Sequence, residues 1–329
     1  KPSSAASDVY KRQVVQSANS KEEIANANHP LIRHIKIPHK LSPKPQDNVP
    51  SSGWQPCTPK VVANFTAVGY YFGRHLHKEL NVPIGLIGSN WGGTRIEPWT
   101  PPVGFKSVPA LKKNFADKLD QFASAKPGRG TPSHMYNAMI HPLLPYTIKG
   151  ALWYQGESNN GEGMLYHEKM KALIAGWRSV WNNPELPFYF VQLAPFRYNS
   201  DNDPRLPGIW QAQLETLKVP HTGMAVTTAI TTLRNIHPPN KQDVGKRLAL
   251  WALVKDYGKK LTTQYSGPLF EKTSSAEGKD SITVHFTKLG GQHHGLKTND
   301  GKSPSHFEIS GKDGKWHPAK ATIVYGDHL

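Results

Sequence analysis

Short apolar runs that alternate with amphipathic segments constrain the fold of this chain most strongly. Each run ends at a polar turn, and the segments between the runs have apolar residues at helical spacing. The predicted strands are residues 84–88, 146–154, 187–193 and 222–228, and the predicted helices are residues 62–80, 107–125, 164–181, 209–217 and 240–257. Strands that alternate with helices indicate βαβ units, so we expect an α/β domain with a parallel sheet covered on both faces.

The last part of the chain has a different pattern. Residues 281–286 alternate polar and apolar side chains, residues 308–316 contain an Asp-Gly pair between two short runs, and residues 321–325 are predicted to form another strand. An Asp-Gly pair in this setting is typical of a hairpin. We therefore predict a small antiparallel β unit after the α/β domain. The segment before Val14 shows no hydrophobic periodicity and no helix-capping pattern, so we assign it to neither unit.

Composition excludes several classes of function. A net charge of +16 suits a polyanionic partner, but the basic residues are dispersed and no zinc-finger or RRM signature occurs. We predict no nucleic-acid partner and a basic surface that suits acidic glycans. No run of 18 apolar residues occurs, so no membrane span is expected. The single cysteine, Cys57, cannot form an internal disulfide and is predicted to be buried.

Three polar turns carry the side chains that an acyl-transfer site needs. They cover residues 88–94, 153–159 and 235–241. Each residue also suits an ordinary turn, because glycines permit positive φ and serine is common in turns. Together, however, the turns supply a hydroxyl, oxyanion donors and a general base, which are Ser89, the backbone of Gly92 and Gly93, the amides of Gln155 and Asn159, and His237.

These turns lie in longer stretches that closely resemble sialate O-acetylesterases, carbohydrate esterases of the SGNH-hydrolase superfamily. The stretches are IGLIGSNWGGTRIEPW at 84–99, YNAMIHPLLPYTIKGALWYQGESN at 136–159 and NIHPPNKQDVGKRLALWAL at 235–253. The resemblance runs from about Val14 to the C-terminus. It implies a three-layer, flavodoxin-like sandwich that removes acetyl groups from sugar hydroxyls without a metal or an organic cofactor, followed by the family's C-terminal β domain.

The resemblance also implies roles for single residues. His237 resembles the catalytic base, Gly92 and Gln155 resemble donors to the oxyanion, and Glu157 is expected to order its turn. The family often has an aspartate two or three residues before the histidine, where this chain has Asn235. The triad acid is therefore unassigned, which leaves a backbone carbonyl or Asn235 to orient the imidazole, and Asp243 is expected to be a helix N-terminal charge.

The nucleophile of the family belongs to a Gly-Gln-Ser-Asn block near the N-terminus, and this sequence contains no such block. The resemblance starts where that block should just have ended, so we expect truncation and no activity from the chain as given. The predicted domains are an unrelated leader at 1–13, an incomplete esterase domain at 14–262 and a partial β domain at 263–329. One alternative makes Ser89 the nucleophile.

Further alternatives concern the substrate and the class of protein. An acetylxylan esterase of the same fold fits the resemblance, as does a non-catalytic carbohydrate-binding protein in which aromatics such as Trp54 stack on sugars. The expected partner is an acetylated sugar or glycan, which points to a secreted or periplasmic location. The oligomeric state is not predicted.

Overall fold

The structure is a computed structural model that describes residues 13–198, 203–262, 264–275, 280–287, 296, 298 and 300–324. These residues divide into two compact units, the first ending at Lys260 and including Tyr265–Gly267, the second formed by the remainder from Leu261 onwards. Helices of the first unit are α1 (Ser20–Ala25), α2 (Ala67–Leu80), α3 (Pro102–Ser107), α4 (Leu119–Ser124), α5 (Leu165–Val180), α6 (Arg205–Thr216) and α7 (Lys241–Lys255). Its strands are β1 (His29–Lys36), β2 (Gln55–Cys57), β3 (Ile84–Gly88), β4 (Ala151–Trp153), β5 (Phe188–Val191) and β6 (Thr222–Ala225).

The strands of the first unit form two sheets in the orders β2-β1-β3 and β4-β5-β6. Strands β1 and β3 are parallel, with Ile32 opposite Ile84 and Lys36 opposite Gly88. Strands β4, β5 and β6 are also parallel to one another, whereas β2 pairs antiparallel with β1. The predicted α/β fold with a parallel sheet is confirmed, and each of the four expected strands is present, although the one expected at 146–154 is reduced to β4.

Packing of apolar side chains holds helices on these sheets. The largest buried cluster joins β4 and β5 to α5 and includes Trp153, Phe188 and Leu173. A second cluster joins β1 to α2 and contains Cys57, which is fully buried as predicted. Helices α2 and α7 approach so closely that a Cβ at Gly245 would lie 2.7 Å from the backbone nitrogen of Phe72, so this contact requires glycine.

The predicted helix at 107–125 is wrong. The segment contains 3₁₀ turns at Pro109–Leu111 and Ala116–Lys118, and only its last part forms α4. Val108 is extended because the following proline disfavours the helical conformation. The helical spacing was produced by Leu111, Phe115 and Leu119, which pack with Phe105 without a continuous helix. The predicted helix at 62–80 begins only at Ala67, after a separate 3₁₀ turn at Val62–Asn64.

The second unit contains two antiparallel pairs of strands. Strand β7 (Phe270–Ser274) pairs with β8 (Thr283–Phe286), and β9 (Phe307–Ser310) pairs with β10 (Trp316–Ala319). The predicted hairpin is confirmed, and its Gly314 has a φ of +72°. Residues 321–324 are not in a strand, contrary to prediction, and Tyr325 lies outside the described residues. In the described part of the chain, no helix is both long and apolar enough to cross a membrane.

A buried histidine on β1 makes stability depend on pH. His34 is 3% exposed and stacks on Phe65 with ring centroids 4.5 Å apart. Burial, with a smaller contribution from Lys36, lowers the pKa of His34 from the ordinary 6.5 to about 4. The unfolded chain therefore binds this proton more readily than the folded protein, and folding loses stability as the pH falls from 6.5 towards 4.

We expect His34→Gln to flatten the pH dependence of stability. The lowered pKa corresponds to about 3 kcal/mol of unfolding free energy lost between pH 7 and pH 4 in the parent protein, and the variant lacks this component. Urea unfolding at a series of pH values measures the difference, with the exposed His221→Gln as the control variant. Equal slopes for the parent and His34→Gln would contradict the assignment.

Candidate active site

The turns that follow β3 and β4 are fastened to each other by two amide side chains. Nε2 of Gln155 donates to the carbonyl of Thr94 at 3.0 Å and to Oδ1 of Asn159 at 2.7 Å. Oδ1 of Asn159 also accepts the backbone N–H of Ile96 at 3.1 Å. Both amides are buried, so these bonds fix the two turns side by side.

The remaining polar atoms of Gln155 are held from α5. The hydroxyl of Tyr166, which is fully buried, lies 3.0 Å from Oε1 and 2.9 Å from the carbonyl of Gln155. Burial raises the pKa of Tyr166 well above its usual range, so the hydroxyl keeps its proton and donates. Since both amide protons of Gln155 already have acceptors, a substrate oxygen would have to replace the Thr94 carbonyl or Asn159 as partner.

A group of four charges lies next to these turns, with Glu97 and Lys169 buried, Glu162 partly buried and the Arg95 side chain 42% exposed. Nζ of Lys169, 3% exposed at the side chain, contacts Oε1 of Glu97 at 2.6 Å and Glu162 at 2.7 Å. Arg95 pairs with the same two carboxylates and donates to the carbonyl of Ser158 at 3.0 Å. Burial alone would raise the pKa of Glu97, but Lys169 and Arg95 outweigh it and the pKa is lowered. We call Arg95, Glu97, Glu162 and Lys169 the buried charge cluster.

The turn after β3 contains two of the four predicted oxyanion donors, Gly92 and Gly93. Gly92 is buried and its carbonyl accepts from Arg129 at 2.7 Å, while Gly93 is exposed with a φ of +66°, which favours glycine. The hydroxyl of Ser89 donates to the carbonyl of Met139 at 3.1 Å. Ser89 therefore stands directly after the strand, half-buried, with its proton directed to a backbone carbonyl.

Two cations, Lys36 and Arg129, and the imidazole of His39 lie beside this turn. His39 stacks on Trp91 with ring centroids 4.2 Å apart, and the guanidinium of Arg129 lies 5.3 Å from the same ring. Nζ of Lys36 donates to Oδ1 of Asn90 at 2.7 Å. Burial is the main cause that lowers the pKa of His39, with Lys36 and Arg129 acting in the same direction. The sequence analysis did not identify these residues as part of the site.

His237 stands on the third turn, just before α7. Its backbone N–H donates to Oδ1 of Asn235 at 2.9 Å, so the Asn235 side chain contacts the main chain of His237. Asn240 caps α7 by accepting the N–H of Asp243, which lies in the first helical turn as predicted. Nζ of Lys241 lies 4.8 Å from the ring centroid of Tyr154, which links this turn to the one after β4.

One cavity of about 550 Å³ brings four of the eight predicted site residues together. Ser89, Gln155, Glu157 and His237 line it, together with Thr94. Four predicted residues do not line the cavity: Gly92, Gly93, Asn159 and Asn235. Asn159 contributes indirectly, by accepting a hydrogen bond from Gln155. Among the described residues, no group of three or more His, Cys, Asp or Glu side chains is placed to hold a metal ion. The arrangement combines a histidine, a hydroxyl and amide donors, which are components of acyl-transfer sites.

Comparison with known proteins decides the family. The family described as "Carbohydrate esterase, sialic acid-specific acetylesterase" matches residues 4–253, a range that begins inside the segment expected to be an unrelated leader. The chain belongs to this family of carbohydrate esterases. Residues 1–12 lie outside the described residues, so the expected leader stays a prediction.

Individual members of the esterase family agree with this assignment. The chain is 35% identical to a sialate O-acetylesterase of Homo sapiens over 79% of its length and 33% identical to one of Rattus norvegicus over 78%. It spans about half the length of these relatives, 51% and 54%. A crystal structure of a carbohydrate acetylesterase from Xanthomonas citri matches with a TM-score of 0.82 and 35% identity, over 96% of this chain and 68% of that one.

Lys169→Met tests the buried charge cluster. The substitution leaves Glu97 buried without its closest cation, so we expect the free energy of unfolding to fall by about 3–5 kcal/mol near pH 7. Because the pKa of Glu97 is lowered in the folded protein, its stabilising contribution is present above about pH 4.5 and is lost below it, so the penalty should shrink in acid.

The control is Lys171→Met on the same helix. Lys171 is partly exposed and pairs only with Glu168 in the i,i+3 position, so its loss should cost less than about 1 kcal/mol. Denaturant unfolding of both variants gives the comparison. Similar losses for Lys169→Met and Lys171→Met would show that the cluster does not hold the fold.

Proposed function

We propose that this chain is part of an enzyme that hydrolyses O-acetyl esters on carbohydrates through an acetyl-serine intermediate. The observation that carries the proposal is the convergence of Gln155, Thr94 and His237 on one cavity at the ends of β3 and β4, in a chain of this esterase family. Ligands of open α/β sheets bind outside the carboxyl ends of the strands, and Ser89, Gln155 and Glu157, which follow β3 and β4, line this cavity.

In the proposed mechanism, His237 takes the proton of a serine hydroxyl while the serine oxygen attacks the acetyl carbonyl. The N–H of Gly92 and the amide of Gln155 stabilise the oxyanion, for which Gln155 exchanges one of its present acceptors. His237 then gives the proton to the leaving sugar hydroxyl. Water, deprotonated by His237, attacks the acetyl group, and the serine is released with acetate as the product.

The nucleophile is assigned to a serine in a Gly-Gln-Ser-Asn block, which the printed sequence does not contain. The chain alone is therefore proposed to be inactive. Ser89 is the rival nucleophile, because it lines the same cavity, but its hydroxyl donates to the Met139 carbonyl. The roles of Glu157, Asn159, Asn235 and Gly93 are proposed to be positioning of the turns.

His237→Ala in a protein extended at its N-terminus by a Gly-Gln-Ser-Asn block tests the mechanism. We expect kcat for a chromogenic acetyl ester to fall about 10⁴-fold, because no other group can take the serine proton. His221→Ala, on the surface, serves as the control. Near-normal turnover by His237→Ala would refute the proposed base, and turnover by the unextended chain that Ser89→Ala abolishes would make Ser89 the nucleophile.

The positive side chains around Trp91 favour an acidic sugar over neutral xylan as substrate. Nζ of Lys36 donates to Oδ1 of Asn90 and the guanidinium of Arg129 donates to the carbonyl of Gly92, so two positive charges lie beside the turn that contains Trp91. A carboxylate beside a guanidinium gains a charge-assisted bond. We propose an O-acetylated sialic acid, carried by secreted or periplasmic glycans, rather than an acetylxylan.

Arg129→Gln should separate the two substrates. In the extended protein we expect kcat/KM for an O-acetylated sialic acid to fall about tenfold, which corresponds to one charge-assisted hydrogen bond. The value for an acetylated xylo-oligosaccharide should change much less, and Lys113→Gln, on the exposed segment before α4, should change neither. An equal loss on both substrates would show that Arg129 only holds the Gly92 turn.

A further inference from the structure

A second cavity is formed by α2 and α7, apart from the candidate active site. Its volume is about 500 Å³, within the range of about 300–1,000 Å³ that is usual for small-molecule sites. Residues of α2, of the first two turns of α7 and His29 of β1 line it. None of these described residues lines the cavity that contains His237. We call this second space the α2–α7 cavity.

Basic side chains dominate the lining of the α2–α7 cavity. The described lining residues that can carry a positive charge are Arg74, Lys78, Lys246, His29, His75 and His77. Asp243 is the one carboxylate among the described lining residues. A concave surface with charges mostly of one sign concentrates the electric field and attracts ligands of the opposite sign.

The guanidinium of Arg74 already has its partners. It bonds both carboxylate oxygens of Glu23 and lies 4.9 Å from the ring centroid of Tyr71. The carboxylate Asp243 has a partner of its own, since its Oδ2 accepts from Nδ2 of Asn240 at 2.8 Å. Neither Arg74 nor Asp243 therefore depends on the lysines of the cavity for a partner.

The two lysines of the cavity can pair with a ligand without breaking an ion pair. Lys78 and Lys246 are both exposed, and among the described residues neither ammonium group has an ion-pair partner. Glu79, the neighbour of Lys78 in sequence, pairs with Lys259 at 3.1 Å instead. Ammonium groups act as point charges and are common phosphate binders.

Close packing of the two helices fixes where these lysines begin. A Cβ at Gly245 would lie 2.7 Å from the backbone nitrogen of Phe72, so α7 touches α2 directly before Lys246. On α2, Lys78 follows His75 by three residues, a spacing that places two side chains on the same face of a helix. The backbone of both lysines is thus held on packed helices, while their long side chains can move to meet a ligand.

His75 lies within the electrostatic reach of the three permanent cations of the cavity. Burial is the main cause that lowers the pKa of His75, and Glu79 acts in the opposite direction. The cations that lower the pKa further are Lys246, Lys78 and Arg74. An anion bound beside them would offset this repulsion and favour the charged imidazole. His75 would then donate to the same anion as the lysines.

We propose that the α2–α7 cavity binds a small molecule through a phosphate or sulfate monoester group. The ester oxygens accept hydrogen bonds from the ammonium groups of Lys78 and Lys246 and from the imidazole of His75. A tetrahedral oxyanion offers acceptor oxygens in several directions, which suits donors that come from two helices. The cavity is larger than the anion alone needs, so a sugar-sized remainder has room beside it. This site does not depend on the proposed esterase function.

Isothermal titration calorimetry of the chain as it exists tests the site. The probes are glucose phosphorylated on its primary hydroxyl and glucose sulfated there, with unmodified glucose as the matched control, in a phosphate- and sulfate-free buffer of constant ionic strength. We expect saturable binding of both esters at one site per chain and no binding of glucose. The ester that binds more tightly identifies the preferred oxyanion. No saturable binding of either ester, or equal binding of glucose, would overturn the proposal.

Lysine variants locate the binding. Lys246→Gln should weaken ester binding about tenfold, which corresponds to one charge-assisted hydrogen bond. Lys113→Gln removes the same charge from another exposed position, outside the cavity, and should leave the affinity unchanged. Because both lysines are exposed, neither substitution should prevent folding. Unchanged affinity in Lys246→Gln, or equal losses in both variants, would show that the esters respond only to the net charge of the chain.

The pH dependence of binding tests the part of His75. The sulfate ester keeps its charge while histidines titrate, and its binding should be tighter at about pH 6 than at about pH 8, because the bound anion favours the protonated imidazole. His29 and His77 line the same cavity. His75→Gln should remove more of this dependence than His77→Gln, because three cations act on His75 whereas Nδ1 of His77 donates to the carbonyl of Val82. An unchanged dependence in His75→Gln would contradict the proposed set of donors.

Discussion

The buried charge cluster is the interaction on which the candidate site depends. Lys169 is carried into the interior by α5, where it neutralises Glu97 and Glu162. Nδ2 of Asn159 donates to both carboxylates, and its Oδ1 accepts hydrogen bonds from Gln155 and from the backbone N–H of Ile96. Two loops that are distant in sequence are therefore held by ions that cannot be removed singly without leaving a buried charge unpaired. Such a site is rigid because the charges and amides that support it are paired, not because its loops are short.

Strand order and the packing of apolar side chains explain the position of the buried charge cluster. The turns after β3 and β4 lie side by side because the Gln155 amide donates to the carbonyl of Thr94. Helix α5 packs on the same sheet through Met170, Leu173 and Trp177, which places Tyr166 and Lys169, one turn earlier, under those turns. The geometry of the site is thus set by the same packing that forms the core, and a change in α5 would alter the position of Gln155 through Tyr166.

Much of this fold could be predicted from the sequence, because buried parallel strands appear as uninterrupted apolar runs and their helices have clear periodicity. The prediction failed where periodicity came from side chains that pack from irregular backbone, as in residues 107–118. Strand β1 was missed because charged residues interrupt its pattern and only Ile32 and His34 are buried. Three turns of the site were found by their polar content. Lys169 was not, although it falls on the buried face with Tyr166 and Leu173, and a charge at such a position is a sign of a buried partner.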